Sequence, residues 1–197
     1  MSRLYALVLA AGQGARFGGR KLLSPWRGGV LLDGALTAAL AAPVEGVLLV
    51  TGPNAAEAAA GRDLAERLGQ GERLTIVAAL DCALGLSASL RAGLAALPTD
   101  ASGVLVFLGD MPVIPPDVPA RLADALADGA PAAAPIHNGQ RGNPVALSRA
   151  LFADLAALTG DRGARGLLDG LGERLALVET DSDGVLIDVD RPGEAPA

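Results

Sequence analysis

The sequence predicts an α/β protein whose mostly parallel sheet is covered on both faces by helices. Three observations carry this: apolar runs of strand length, alanine-rich segments of helical spacing between them, and a glycine-rich loop directly after the first run. The runs at 4–11, 46–52, 73–79, 103–109, 143–148 and 184–190 are apolar almost throughout, as strands buried on both faces are. The segments at 54–68, 86–97, 117–128 and 148–158 have the spacing of helices. Repetition of strand, helix and strand lays successive strands side by side in parallel. In such sheets the loops at the carboxyl ends of the strands collect on one edge, and chemistry is to be sought there.

Composition narrows the classes. The 197 residues suit one domain spanning 1–197, and a 51% hydrophobic content is enough to bury a substantial core. A formal net charge of -6 argues against nucleic acid or an anionic membrane as partner, because both repel an acidic surface. Cys82 is the single cysteine, so no intrachain disulfide forms. The opening "MSRLYALVLAAGQG" reads as a first strand and not as a signal peptide, and no apolar run reaches membrane-spanning length. The expectation is a cytoplasmic enzyme or binding protein.

The loop "LAAGQGARFGGRKLL" (9–23) follows the first strand. Gly12, Gly14, Gly18 and Gly19 let a ligand approach the backbone, while Arg16 and Lys21 supply positive charge. Two familiar patterns fail on spacing. A dinucleotide fingerprint needs G-x-G-x-x-G, but Ala15, Arg16 and Phe17 separate Gly14 from Gly18. A P-loop needs G-K-[ST], but Arg20 precedes Lys21 and Leu22 follows it. What remains is a phosphate cradle of another kind. Lys21 is the only lysine in a chain whose other basic residues are arginines, and a compact ammonium suits crowded triphosphate oxygens. The bland reading is a glycine-rich connection with solvated charges.

Candidate metal ligands lie in two later segments. In "LGDMP" Asp110 follows an apolar run, with Pro112 stiffening the next turn. In "LIDVDRP" Asp188 and Asp190 are spaced two apart, which on a strand gives one face. Magnesium commonly takes one or two carboxylates plus phosphate oxygens, so Asp110 with Asp188 or Asp190 suffices. Alone, each acid also fits a cap or turn.

The series "LVLAAGQGARFGGRKLL", "GLSASLRAGL", "LGDMPVI", "NGQRGNPVALSRALFADLAALTGDRGARGLL" and "LIDVDRPGE" resembles the molybdenum cofactor cytidylyltransferases of the MobA-like nucleotidyltransferase group, in order over nearly the whole chain. The resemblance implies a three-layer α/β/α, Rossmann-like nucleotidyltransferase fold. It implies transfer of CMP from CTP to the terminal phosphate of molybdopterin-bound molybdenum, with release of pyrophosphate. The product would be the cytosine dinucleotide cofactor, passed on to a molybdenum hydroxylase.

Roles follow from that resemblance. The backbone of Leu9, Ala10, Ala11 and Gly12 would meet the base, and Gly14, Arg16 and Lys21 the triphosphate. Magnesium would sit on Asp110 with Asp188 or Asp190. Lys21, Arg16 and Asp110 are the expected catalytic groups. Related guanylyltransferases read "LAGG" and "GPLAG" where this chain has "LAAG" and "GLSASLRAG", so Ala11 is a candidate selector of cytosine, and Ser87 or Ser89 can bond a pyrimidine edge. Ser87 equally fits a helix cap. Toward the pterin substrate the resemblance places Arg141, Asn143, Asp161, Arg162 and Arg165; guanidinium groups suit phosphates and flat rings, and Asp161 fits an N-cap. His137, the sole histidine, reads as a loop residue, and Trp26 as packing. Transfer of another nucleotide, and a non-catalytic protein that delivers the cofactor, are the competing readings.

Overall fold

A computed structural model describes residues 3–12, 20–53, 55–160 and 163–189. β1 (Leu4–Ala10) is buried along its whole length. A short hairpin of β2 (Pro25–Trp26) and β3 (Gly29–Val30) leads into α1 (Leu32–Ala41), then β4 (Gly46–Thr51), α2 (Ala55–Arg67), β5 (Leu74–Ala78), α3 (Leu86–Ala95), β6 (Gly103–Leu108) and α4 (Val118–Ala127). The second half holds β7 (Ala132–His137), β8 (Gln140–Arg141), β9 (Val145–Ser148), α5 (Phe152–Ala156), α6 (Arg165–Leu171) and β10 (Leu175–Glu179).

The main sheet runs β10-β7-β9-β6-β1-β4-β5, with β8 paired to β7. β1 is parallel to β4 and β6, β4 to β5, and β7 to β10. Only β9 runs against its neighbours in that order, antiparallel to β6 and β7. The sheet is therefore mostly parallel, as expected.

Alternation along β1 explains the layers. Leu4, Ala6, Val8 and Ala10 point to one face, where they pack with Leu32 and Leu36 of α1 and Leu122 of α4. Tyr5, Leu7 and Leu9 point to the other, with Leu90 of α3, Leu155 of α5 and Leu168 of α6. Each face of a central strand is thus sealed by helices, which is why the sequence there shows no polar alternation.

Three readings need correction. Residues 184–190 are no strand as far as they are described. Asp183–Val185 form a 3-10 turn and the chain to Val189 is irregular. Val185 and Val189 are buried in the core cluster that holds Leu4 and Leu32, without pairing in the sheet. Second, 132–137 is a strand despite three alanines and Pro135, because burial between β9 and β10 overrides weak β propensity. Third, β10 and the helices α1 and α6 lie between the runs singled out above. Among the described residues no helix is long and apolar enough to cross a membrane.

Candidate functional site

Parallel register sets the edge. Leu9 pairs with Val50 and Leu108, and Thr51 with Ala78, so the chain leaves β1, β4, β5 and β6 on the same side of the sheet. The exits touch: Gly109 N donates to Leu9 O at 3.0 Å, and Ala79 N to Thr51 O at 2.8 Å. Because β9 is reversed, its amino end reaches this edge together with the carboxyl ends of β7 and β10. The segment 137–144 therefore joins the same rim.

Lys21 begins a 3-10 turn, Lys21–Leu23, entered through Arg20 in the left-handed conformation (φ 55°). Leu22 is buried in the core and leans on Gly109, where an added Cβ would lie 3.3 Å from its Cδ1 and 3.0 Å from Leu9 O. This anchor sets Lys21 over the end of β6. Lys21 Nζ donates to Asp110 Oδ2 at 2.9 Å; the lysine side chain is 10% exposed and the carboxylate 29%. A cation so enclosed is tolerated because its counter-ion lies against it. Two residues singled out separately in the sequence, 89 positions apart, thus meet at one point.

The C-terminal segment straps this point to the second half. Val189 N donates to Asp110 O at 3.1 Å, and Asn143 N to Val185 O at 2.9 Å. The crossing is tight. A Cβ at Gly184 would collide with Val113 O, and one at Gly142 with Val185 O. Asp188 is exposed next to buried Val189. The strap thereby brings Asp188 to the Asp110 loop without the strand geometry expected for it, while Asp190 lies outside the described residues.

The other candidates divide. Ala11 is buried at 5% exposure on the face that also carries α3, and Gly12 is exposed. Ser87 and Ser89 are buried in α3. Ser87 is not the helix cap: α3 opens at Leu86 with Gly85 in the cap position, so the hydroxyl falls inside the first turn, buried and without a hydrogen-bond partner among the described residues. Its backbone N–H donates to Gly160 O at 3.1 Å. Gly14, Arg16, Asp161 and Arg162 lie outside the described residues. The cap position of α6 is Ala164.

Around β8 and α6, Arg141 donates to Asp169 Oδ1 of α6 at 2.7 Å, whereas Arg165 is exposed at the start of that helix. Asp169 escaped the sequence reading, since nothing local signals a pairing across 28 positions. His137 bonds Thr180 O through Nδ1 and Asn138 Nδ2 through Nε2, each at 2.9 Å. Both ring nitrogens are engaged within the rim, and His137 is not a loop residue as expected but the last residue of β7, paired with Gln140 of β8. Trp26 packs on the core, carries the Arg27 guanidinium 5.2 Å above its ring, and lines a cleft of about 390 Å³ with Asp33, Thr37 and Pro112.

Residues 6–177 match the MobA-like NTP transferase domain. The chain belongs to this family. It is 29% identical over 194 residues to the molybdenum cofactor cytidylyltransferase of Escherichia coli, covering 98% of this chain and 94% of that protein. It is 30% identical over 192 residues to the nicotine blue oxidoreductase of Paenarthrobacter nicotinovorans, covering 93% and 90%. Among solved structures, Rv0371c from Mycobacterium tuberculosis matches with a TM-score of 0.78 at 28% identity, covering 96% of this chain and 94% of that one. A complex of Rv0371c with manganese matches at 0.71 and 26% identity, covering 92% and 89%.

As a MobA-like nucleotidyltransferase, the chain carries its glycine loop, Lys21 and Asp110 within the matched span, and Asp188 beyond it. Among the described residues no cluster of three or more His, Cys, Asp or Glu side chains stands ready for a metal ion. Any cation held at this edge would therefore need ligands besides the described side chains, and phosphate oxygens are of the right kind.

Proposed function

We propose that this protein transfers CMP from CTP to the terminal phosphate of molybdopterin-bound molybdenum, releasing pyrophosphate and forming molybdopterin cytosine dinucleotide. The observation that carries this reading is the Lys21–Asp110 pair at the mouth of the parallel sheet, one strand away from the buried Ala11 and on the rim shared with Arg141. The likeness to the Escherichia coli cytidylyltransferase supports the choice of substrates.

The chemistry asks little of the protein in proton transfer. The acceptor is a phosphate monoester, and with a second pKa of about 6 it is mostly dianionic at neutral pH. One of its oxygens attacks the α-phosphorus of CTP, the bond to the bridging oxygen breaks, and pyrophosphate departs with the electron pair. No general base is required. The task is to align two anions and to stabilise charge as it moves to the leaving group. Lys21 and Arg16 would hold triphosphate oxygens, the latter from the loop outside the described residues. The hard carboxylate oxygens of Asp110, with Asp188 or Asp190, fit magnesium, which when bound screens the phosphates and polarises the α-phosphate. Arg141 and Asn143 would receive the acceptor, with Arg165 at its margin.

The finished cofactor would pass to a molybdenum hydroxylase. The nicotine blue oxidoreductase relative sets the competing reading, a redox reaction on the same scaffold. Pyrophosphate release decides between them. Folded protein with molybdopterin-bound molybdenum should release pyrophosphate with CTP and magnesium, and more slowly with GTP, ATP or UTP. Faster release with GTP would overturn the cytosine assignment, and no release with any nucleotide would overturn the transfer itself.

A further inference from the structure

We propose that Arg91 is a positioning residue for the acceptor: from α3 it fixes the chain that leads into α6, and through α6 it sets where Arg141 meets the acceptor phosphate. The inference rests on the nucleotidyl transfer proposed above and concerns how the second substrate is placed.

α3 and α6 lie in different halves of the chain, yet a seam of contacts joins them. Arg91 Nη1 donates to Leu158 O, just past the end of α5. One turn earlier on α3, Ser87 N donates to Gly160 O at 3.1 Å. The Leu86 side chain lies against Gly163, where an added Cβ would come within 2.8 Å of Leu86 Cδ2. Gly163 also has φ 52°, a conformation that favours glycine.

The seam sets the start of α6, whose first residue, Arg165, follows Gly163 by two positions. Leu168 and Leu171 of α6 are buried in the cluster that holds Leu90 of α3 and Leu155 of α5. On its other side the helix holds the Arg141 guanidinium through Asp169 at 2.7 Å. One segment and one short helix therefore lead from Arg91 to the arginine proposed for the acceptor. Close packing passes a displacement along such a path, and a misplacement of about 1 Å can cost up to about a hundredfold in rate.

An arginine bonded to a carbonyl beyond a helix end also stabilises that end, whatever the site does. Arg149 supplies the comparison. It donates to Ala101 O at 2.9 Å and lies over the Phe152 ring, but at the opposite edge of the sheet, next to Ser148 where β9 meets the first residue of β6.

Pyrophosphate release with each substrate varied in turn, beside urea unfolding, separates the two roles. Arg91→Met keeps the stem and loses the guanidinium. Its kcat/KM for the acceptor should fall about tenfold while KM for CTP stays within about twofold of native. Arg91→Lys, which keeps a donor for one carbonyl, should recover most of that loss. Arg149→Met should lose stability and move neither KM. If Arg91→Met loses stability alone, as Arg149→Met does, its role is structural and the proposal is overturned. A rise in KM for CTP as large as the acceptor loss overturns it as well, since α3 itself would then have moved. Gly163→Ala opens the seam from the other side and should show the same acceptor-selective loss, so the test stands even if Arg91→Met does not fold. If the native protein releases no pyrophosphate with any nucleotide, the transfer reading falls and Arg91's role falls with it. Native release beside an unselective Arg91→Met overturns the positioning role alone.

Discussion

On the β1, β4, β5 and β6 side of the sheet every strand runs the same way, and residues proposed for the nucleotide stand just past strand ends: Ala11 after β1 and Asp110 after β6. On the β7, β9 and β10 side one strand is reversed, and the rim is built from a hairpin, the entry into β9 and a crossing strap. The first arrangement gets its geometry from strand register. The second depends on close loop contacts, such as Gly142 against Val185 and Arg141 against Asp169. The nucleotide side should therefore respond to mutation mainly in chemistry, and the acceptor side mainly in positioning.

Asp110→Ala tests the first half most severely. Loss of a preorganised electrostatic group at the phosphates should lower kcat for pyrophosphate release by roughly a hundred- to a thousandfold. Unfolding curves should show a fold still assembled but less stable, since Asp110 lies beyond β6 and outside the core yet is a counter-ion of the enclosed Lys21 ammonium. A variant that keeps its kcat would mean the β6 loop only shapes the edge. Gly184→Ala is the matching probe of the second half. Its new methyl meets the Val113 carbonyl, so the strap must shift, with overpacking of about 1–3 kcal/mol expected in urea unfolding. CTP binding should survive, whereas KM for the acceptor should rise. Equal damage to both would erase the distinction between the halves.

Arg141→Ala should have a smaller and more selective effect. If Arg141 leaves Asp169 for the acceptor phosphate, removing it should raise KM for that substrate by roughly tenfold, the worth of a hydrogen bond to a charged group, and leave KM for CTP unchanged. A change in KM for CTP would place Arg141 on the nucleotide side. Asp169, 60% exposed in its side chain, holds the arginine at 2.7 Å.

The same contrast explains what could be read in the sequence. β1, β4 and β6 are continuous apolar runs because helices cover both of their faces, and their exits follow directly, so the loop and "LGDMP" stood out. β7 was hidden because Ala132 to Ala134 and Pro135 carry little strand preference and gain their burial from neighbours far away in sequence. The strap at 184–189 looked like a strand because Val185, Leu186, Ile187 and Val189 are apolar, but Val185 and Val189 join the core cluster of β1 and α1 without pairing in the sheet. Local pattern could register the apolar content there and not its source. For Ser87, a helix start that lies two residues earlier, with Gly85 as cap, was enough to turn an apparent cap into a buried first-turn residue.

Ala11 gives the finest test, because two accounts of it predict different outcomes. The structure packs its methyl on the face shared with Val50, Ala79 and Leu90, which by itself explains an alanine there. The resemblance to cytidylyltransferases makes the same methyl a selector against a larger purine. Ala11→Gly removes one buried methyl, worth about 0.8 kcal/mol, and adds backbone freedom worth a further 0.5–1 kcal/mol or so, so both accounts predict a slightly less stable protein. They part on specificity. If the methyl occupies space that guanine would need, the ratio of kcat/KM for GTP over CTP should rise by about tenfold, since one methyl in a pocket discriminates weakly. If it serves only the core, both nucleotides should lose the same small factor and the ratio should stay put, moving base selection to the α3 serines.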